Sequence, residues 1–197
     1  VKECAKELEK RGYNVLFVPL DKSGRIDEEK YKQMLDSNVV FVSVQHVSNE
    51  TGAVNNIKRL VSLAKKANPN VKFHSDGVQA FMKFPIDIQD LGVDYYTISA
   101  HKIGGAKGVG ALYVKKGSKI SPVVFGGGQE DGLRSGTENV FGIVSFALAA
   151  EKMNTDMKQN FEKVSKMREE LLSELSKVGV NYVVHGESGV PHTMNIM

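Results

Sequence analysis

A continuous apolar run at residues 39–44 constrains the fold of this chain more than any other feature. The run reads VVFVSV, and a polar loop, QHVSNETGAV, follows it directly. Strands buried on both faces have this β-branched composition, because helices cover each side of a parallel sheet. We therefore expect residues 39–44 to form a strand inside a mainly parallel sheet.

Strand-like and helix-like segments alternate along the first part of the chain. Helical patterns lie at 1–12, 26–36 and 57–67, and strand patterns at 13–20, 39–44, 71–76 and 94–100. Repeated strand–helix–strand units indicate an α/β fold, with a mainly parallel sheet flanked by helices. The segment VGALYV, which follows a glycine-rich loop, is expected to add an antiparallel strand.

The pattern changes near Glu138. An apolar helix, ENVFGIVSFALAAEKM, precedes an amphipathic helix, QNFEKVSKMREELLSELSKVG, and two short strand patterns follow, NYVVHG and HTMNIM. We predict that residues 1–150 form a segment of a large domain. Residues 151–197 are predicted to form a connecting helix and the beginning of a smaller α+β domain.

Composition excludes several classes of protein. The net charge of +3 is too small and too dispersed for a nucleic-acid surface. The single cysteine, Cys4, allows no internal disulfide and fits a reducing compartment, so we expect a cytoplasmic protein. The sequence has no run of 18 apolar residues, so no membrane association is expected. Both ends read as if cut inside an element, which indicates a segment of a longer protein.

Polar clusters follow three of the predicted strands. They read HVSNE, HSDGVQ and SAHK. In open α/β sheets, ligands bind outside the carboxyl ends of the strands. We therefore expect these clusters to form one site.

Lys102 has two interpretations. A lysine is most often a solvated surface residue. Lys102, however, follows a predicted strand and precedes Gly104 and Gly105, which allow a backbone to approach a ligand closely. A lysine in a dry cleft loses part of its ammonium character and can form a Schiff base with a carbonyl. The neighbouring His101 is expected either to donate to a phosphate or to cap the strand end.

Asp76 and Gln79 also have two interpretations. A carboxylate at a strand end with an amide three residues later is consistent with a helix cap. The same pair suits a pyridine cofactor, because an aspartate opposite the ring nitrogen keeps that nitrogen protonated.

The loop at residues 126–139 reads GGGQEDGLRSGTEN and precedes the apolar helix. Ser135, Gly136 and Thr137 place hydroxyls and amides before a helix N-terminus, which favours phosphate binding. N-capping by Thr137 is the alternative. The five histidines show no metal-ligand spacing, so no metal site is predicted.

Four motifs together resemble one family. SNETG, HSDGVQ, SAHKIGGAKGVGALYV and GGGQEDGLRSGTEN occur in the order and spacing of the cysteine desulfurases of the NifS/IscS type. These are pyridoxal-phosphate enzymes of the class V aminotransferase family. The resemblance covers essentially the whole chain and implies the large-domain fold of pyridoxal-phosphate transferases, fold type I. The RSGTEN form is similar to the NifS/IscS branch.

The resemblance implies a pyridoxal 5'-phosphate site in which Lys102 bonds covalently to the cofactor and later moves a proton. Asp76 would face the pyridine nitrogen and Gln79 the phenolic oxygen. Asn49 would lie beside that oxygen and the substrate carboxylate. The implied reaction takes sulfur from L-cysteine, leaves alanine, and passes the sulfur toward iron–sulfur cluster assembly or another acceptor protein.

The resemblance also implies a shared phosphate site. Ser99 and His101 would hold the phosphate, and Thr137 would reach the phosphate of a neighbouring subunit in a homodimer. The nucleophilic cysteine and the arginine for the substrate carboxylate are expected outside this segment. Cys4 is therefore not the sulfur acceptor, and the isolated segment is expected to be inactive.

Three positions depart from the pattern of the family. Gly77 replaces an alanine under the cofactor ring, Ala106 replaces a proline, and Ser48 replaces an asparagine. Two other functions stay open at this stage. One is a transaminase or lyase of the same family, and the other is a non-catalytic structural or dimer-forming segment.

Overall fold

The computed structural model describes residues 2–186 and 189–197. The helices are α1 (Lys2–Lys10), α2 (Glu28–Met34), α3 (Ile57–Ala67), α4 (Ile88–Leu91) and α5 (Val140–Lys177). The strands are β1 (Phe41–Gln45), β2 (Lys72–Asp76), β3 (Tyr95–Ser99), β4 (Gly110–Val114), β5 (Val184–His185) and β6 (Asn195–Ile196). Two 3₁₀ helices lie at Ala100–Ile103 and Gln129–Gly132.

The four longer strands form one sheet in the order β1-β2-β3-β4. β1, β2 and β3 are parallel, and β4 pairs with β3 in the antiparallel direction. The predicted α/β fold with a mainly parallel sheet is confirmed, and so is the antiparallel partner. The carboxyl ends of three neighbouring strands consequently lie at the same edge.

α2 and α3 cover one face of this sheet. α3 begins at the cap Asn56, whose side chain accepts a hydrogen bond from the Arg59 amide at 3.1 Å. Apolar residues recur along α3 with helical spacing, so one side of the helix is buried against the strands. The core on this face contains Tyr31, Ile57, Leu60, Val61, Phe73 and Val93.

The opposite face of the sheet is open in the described part of the chain. Phe41 in β1 is 51% exposed and Leu112 in β4 is 46% exposed. A shallow cavity of about 510 Å³ lies over this face between Phe41, His74 and Leu112. The prediction that residues 39–44 are buried on both faces is therefore wrong. The run packs on the helix side only, and no described element covers the other side.

Residues 13–20 do not form the predicted strand. Only an isolated bridge between Leu20 and Ile26 is present there, and Leu16 and Phe17 are exposed. A strand needs a neighbour to satisfy its backbone groups, and within the described residues no strand pairs with this segment.

The two helices predicted between residues 138 and 179 are one continuous helix, α5. The junction contains neither glycine nor proline, and Lys152 pairs with Asp156 across it at 2.9 Å. The domain boundary predicted between residues 150 and 151 falls inside this helix. β5 and β6 form an antiparallel pair beyond it. Arg168 of α5 donates to the carbonyl of Thr193 at 2.9 Å, which ties the C-terminal segment to the helix.

Across residues 2–186 and 189–197, the structure contains no helix with the length and apolar character that crossing a membrane requires.

Candidate functional site

The carboxyl ends of β1, β2 and β3 bring the predicted polar clusters to one edge of the sheet. Gln45 at the end of β1 is the register partner of Asp76, the last residue of β2. Asp76 is in turn the register partner of Thr97 in β3. Because the strands are parallel and in register, the loops that follow them leave the sheet side by side.

Asp76 lies partly buried at the centre of this edge. One of its carboxylate oxygens accepts a hydrogen bond from the Val78 amide at 3.0 Å, which shapes the turn after β2. This is a turn contact rather than a helix cap, because residues 78–83 form turns and not a helix. Gln79 lies in the same turn and is partly buried.

Ser99, His101 and Lys102 lie at the end of β3. Ser99 is the last residue of the strand, and the 3₁₀ helix that contains His101 and Lys102 follows directly. The hydroxyl of Ser99 and Nδ1 of His101 are 2.8 Å apart, within hydrogen-bond distance. Gly104 ends the 3₁₀ helix with a φ of 88°, a conformation that favours glycine.

The side chains of His101 and Lys102 are exposed. The dry cleft expected around Lys102 is therefore not formed by the described residues. The sheet positions the lysine at the strand end, but no element of the described chain shields it from water.

The turn that carries Lys102 is anchored to α5. Ala100 and Ile103, on either side of the His101–Lys102 pair, pack against Phe146 in a small apolar cluster. The amide of Ala106 donates to the hydroxyl of Ser145 at 3.1 Å. A proline at position 106 could not donate this bond. The departure at Ala106 thus adds a contact that holds the glycine loop on the helix.

Asn49 lies in the turn after β1 and is exposed. Its side-chain oxygen accepts a hydrogen bond from the Gln45 amide group at 3.0 Å. Ser48, the second departure, accepts from the Thr51 amide at 3.2 Å and so supports this turn. The loop after β1 is consequently structured by its own side chains.

The loop at residues 126–139 differs from its prediction. The N-cap of α5 is Asn139, which accepts from the Gly142 amide at 3.0 Å, and not Thr137. The hydroxyl of buried Ser135 donates to the carbonyl of Gly127 at 2.8 Å. Thr137 is exposed and precedes the cap. The Ser135 hydroxyl already donates its hydrogen within the loop, so it is not available as a donor to the anion predicted at the start of the helix.

Gly77 leaves no gap under the site. A Cβ at this position would overlap the ring of Tyr96, so the space is already filled by an aromatic side chain. Tyr96 hydrogen-bonds to Nδ1 of His46 at 2.8 Å, and both residues are buried. The sequence interpretation assigned no role to either residue. The one sequence signal was the glycine at position 77, because a glycine in or beside a strand often marks the place where another group packs closely against the backbone.

Burial determines the electrostatics of this pair. It lowers the pKa of His46 to about 4, so that the imidazole is neutral at physiological pH. Burial also raises the pKa of the Tyr96 hydroxyl above its ordinary value, and the negative charge of Asp76 raises it further. The pair is therefore uncharged and lies within electrostatic reach of Asp76.

Metal chemistry has no cluster of ligands to support it in the described part of the chain. No three His, Cys, Asp or Glu side chains within residues 2–186 and 189–197 are arranged to hold a metal ion.

Comparison with known proteins identifies the family. Residues 1–196 match the aminotransferase class-V family. The chain belongs to this family. Among solved structures, the chain superposes on a NifS-like protein with a TM-score of 0.95 and 37% sequence identity. The superposition covers 100% of this chain and 54% of the NifS-like protein. A NifS-like protein from Rickettsia africae gives a TM-score of 0.89 at 34% identity, with 97% and 54% of the two chains covered.

Curated relatives in the class-V family are named as cysteine desulfurases. The chain is 39% identical over 170 residues to cysteine desulfurase IscS of Dictyoglomus turgidum, covering 86% of this chain and 43% of the relative. It is 36% identical over 193 residues to cysteine desulfurase IscS 1 of Archaeoglobus fulgidus, covering 98% and 50%. The chain thus spans about half the length of these relatives.

Proposed function

We propose that this chain is the cofactor-lysine segment of a pyridoxal-phosphate-dependent cysteine desulfurase. The observation that carries the proposal is the position of Asp76 and Lys102 at neighbouring carboxyl strand ends. This arrangement occurs in a class-V family chain whose curated relatives are named as cysteine desulfurases. The chain spans about half the length of the curated relatives that it matches. The proposed activity is therefore that of a longer protein, to which this chain would contribute the cofactor lysine.

The residues at the strand ends fit the cofactor chemically. Asp76 offers a partly buried carboxylate for a pyridinium nitrogen. Lys102 offers an exposed amine on a short 3₁₀ helix, where a carbonyl carbon can reach it. The Ser99 and His101 pair offers donors for a phosphate. These groups match the three functional ends of pyridoxal phosphate.

Each residue has a distinct role in the proposal. When bound, pyridoxal phosphate would supply an electron sink for the substrate amino acid. Lys102 would hold the cofactor covalently and, once released, move a proton at the substrate. Asp76 would keep the pyridine nitrogen protonated through a charge-assisted hydrogen bond. Gln79 would donate to the phenolic oxygen, and Asn49 would orient the substrate carboxylate.

A homodimer is part of the proposal. Phe141, Val144 and Leu148 share one side of α5 and are 82%, 51% and 60% exposed. An exposed apolar stripe of this kind is typical of an interface between subunits. The exposed Thr137 lies just before this stripe, so a second subunit covering the stripe would bring its phosphate site within reach.

Three further features of the whole protein belong to the proposal. The substrate would be L-cysteine, and the sulfur would pass to an acceptor or iron–sulfur scaffold protein. The single cysteine of this chain fits a cytoplasmic location. The names of the relatives favour this reaction over transamination or another lyase reaction of the same family.

Borohydride reduction tests the central assignment. The intact protein is incubated with pyridoxal phosphate, reduced with borohydride and mapped by peptide mass spectrometry. We expect the label on Lys102. Lys107, an exposed lysine in the same glycine loop, is the matched control, and Lys107→Ala should leave labelling unchanged while Lys102→Ala abolishes it.

Activity is measured on a portion of the cofactor-loaded protein that is not treated with borohydride, as alanine and sulfide released from L-cysteine in the presence of a thiol reductant. Labelling of Lys107 in place of Lys102 would refute the cofactor assignment. Labelling of Lys102 with transamination but without sulfide would retain the cofactor site and replace the reaction. Absence of any label would favour the non-catalytic alternative.

A further inference from the structure

Two buried side chains form a hydrogen-bonded bridge beneath the candidate site. The hydroxyl of Tyr96 and Nδ1 of His46 are 2.8 Å apart, and the two residues are 3% and 5% exposed. Their rings also meet edge to face, with centroids 6.0 Å apart and an interplanar angle of 82°. Phe84 packs edge-on against the other side of the His46 ring, with centroids 5.5 Å apart. The bridge is therefore held in one geometry by both polar and aromatic contacts.

This bridge joins strands that are not neighbours. His46 directly follows β1 and Tyr96 belongs to β3, whereas β2 lies between them in the sheet. Backbone hydrogen bonds already link each strand end to β2, from the His46 amide to Asp76 at 2.8 Å and from the Gly77 amide to Thr97 at 2.9 Å. The side-chain bridge adds a direct link from the first strand to the third.

Gly77 is the position where the bridge passes β2. A Cβ at residue 77 would overlap the ring carbons and the hydroxyl of Tyr96. Any side chain at this position would displace Tyr96 and break its contact with His46. The glycine and the tyrosine are therefore complementary, and each accounts for the other.

We propose that Tyr96 and His46 are positioning residues that align the three strand ends carrying the cofactor ligands. This inference rests on the proposed function. The loop after His46 carries Asn49, β2 ends at Asp76, and β3 ends at Ser99 before the turn with Lys102. A protein binds with an apparent affinity reduced by the fraction of molecules whose site is correctly arranged. Without the bridge, the strand ends populate several relative positions and that fraction falls.

Cofactor affinity separates positioning from simple stabilisation. A residue that only stabilises the fold changes the unfolding midpoint and leaves the affinity of the folded protein unchanged. The test is therefore the dissociation constant for pyridoxal phosphate, obtained by fluorescence titration of the intact protein. The unfolding midpoint of the cofactor-free protein and the visible absorption and circular dichroism of the bound cofactor are recorded in parallel.

The first variants remove or retain the hydrogen bond. Tyr96→Phe and His46→Leu should each weaken cofactor binding about fivefold, the effect of one net hydrogen bond, and shift the circular dichroism band. His46→Asn, whose amide nitrogen can replace Nδ1, should rescue the affinity to within about twofold. The matched control is Tyr95→Phe, at the neighbouring position of β3, which removes the hydrogen bond from the Tyr95 hydroxyl to the Lys119 carbonyl. It should leave the affinity unchanged.

The second variants test the complementarity of Gly77 and Tyr96. Gly77→Ala should weaken cofactor binding about tenfold or more and lower the unfolding midpoint, because the methyl group displaces the tyrosine ring. The double variant Gly77→Ala/Tyr96→Leu removes the overlap and should recover the midpoint. Its affinity should stay low, because the hydrogen bond to His46 is still missing.

Two results would overturn the inference. One is a Tyr96→Phe protein that binds the cofactor with the affinity and spectrum of the wild type. The other is a double variant that recovers full affinity, which would show that Tyr96 only fills space. If the wild type itself fails to bind pyridoxal phosphate, that result refutes the proposed function and this inference together. Binding by the wild type without an effect in the variants contradicts the positioning role alone.

Discussion

The carboxylate of Asp94 accepts a hydrogen bond from the Phe73 amide at 3.0 Å, at the end of the sheet opposite the candidate site. Lys65 and Lys72 lie 3.2 and 3.4 Å from the same buried carboxylate, and Ser118 donates to it at 3.1 Å. We predict that Asp94→Ala lowers the free energy of unfolding by about 2–3 kcal/mol, because it leaves a buried amide unpaired. Urea denaturation measures this change.

The control for this prediction is Asp90, which pairs with Lys58 on the surface. Asp90→Ala should change the free energy of unfolding by about 0.5 kcal/mol or less, because exposed ion pairs contribute little. Equal effects of the two substitutions would contradict the role given to Asp94.

The neutral state of His46 predicts a pH dependence of stability. The folded protein holds the pKa of this residue at about 4, below the ordinary value of 6.5. Between these values the unfolded chain binds a proton that the folded chain excludes, so stability is fully present above pH 6.5 and falls as the pH decreases toward 4. The loss from this residue is about 3 kcal/mol. Burial lowers the pKa of His74 and His192 as well, and they act in the same direction.

The variant His46→Asn isolates the contribution of His46. Asparagine does not titrate in this range, so the slope of the free energy of unfolding between pH 6.5 and 4 should be shallower than in the wild type. Denaturant curves at several pH values give the slope. Identical slopes in the two proteins would show that His46 is not buried in its neutral form.

Met82 predicts a stability difference between two substitutions. Its φ of 56° lies in the left-handed region, which costs a residue with a Cβ about 1 kcal/mol. Met82→Gly and Met82→Ala both remove the side chain, so their loss of packing largely cancels. The glycine variant should be more stable than the alanine variant by about 1 kcal/mol.

The matched comparison for Met82 uses Lys166, an exposed residue of α5. Within a regular helix the order should reverse, with Lys166→Gly less stable than Lys166→Ala by about 1 kcal/mol. Thermal unfolding of the four variants tests both statements. The same order at both sites would contradict the strained backbone at Met82.

The role of Asp76 predicts a separation of binding from turnover. In the intact protein, Asp76→Asn should retain pyridoxal phosphate and lose at least about tenfold in kcat, because a neutral amide does not keep the ring nitrogen protonated. Asp90→Asn, at an exposed site, is the control. Near-normal turnover in the Asp76 variant, measured as alanine release, would refute the assignment.

The exposed stripe on α5 predicts a dimer. Phe141→Asp places a charge in the proposed interface and should convert the intact protein to a monomer in sedimentation experiments. The control is Val178→Asp, a substitution at an exposed position at the far end of α5. Thr137→Ala should keep the dimer and weaken cofactor retention. A monomeric wild type that binds the cofactor tightly would contradict both expectations.

The sequence by itself determined the parallel sheet and the position of Lys102. The apolar run at 39–44, the amphipathic pattern of α3 and the polar clusters after each strand are local signals, because they reflect which side chains an isolated element must bury. Once the strands are parallel, their carboxyl ends meet at one edge. The placement of Asp76, Ser99 and Lys102 follows from this topology alone.

Only the tertiary structure decided how these elements are packed and which faces they share. The bond between His46 and Tyr96 joins residues fifty positions apart, and its passage beneath Gly77 depends on the register of three strands. The open face beside Phe41, the continuous α5 and the cap at Asn139 likewise depend on which neighbours are present. Periodicity specifies that a side chain is to be buried, whereas three-dimensional packing selects the partner that buries it.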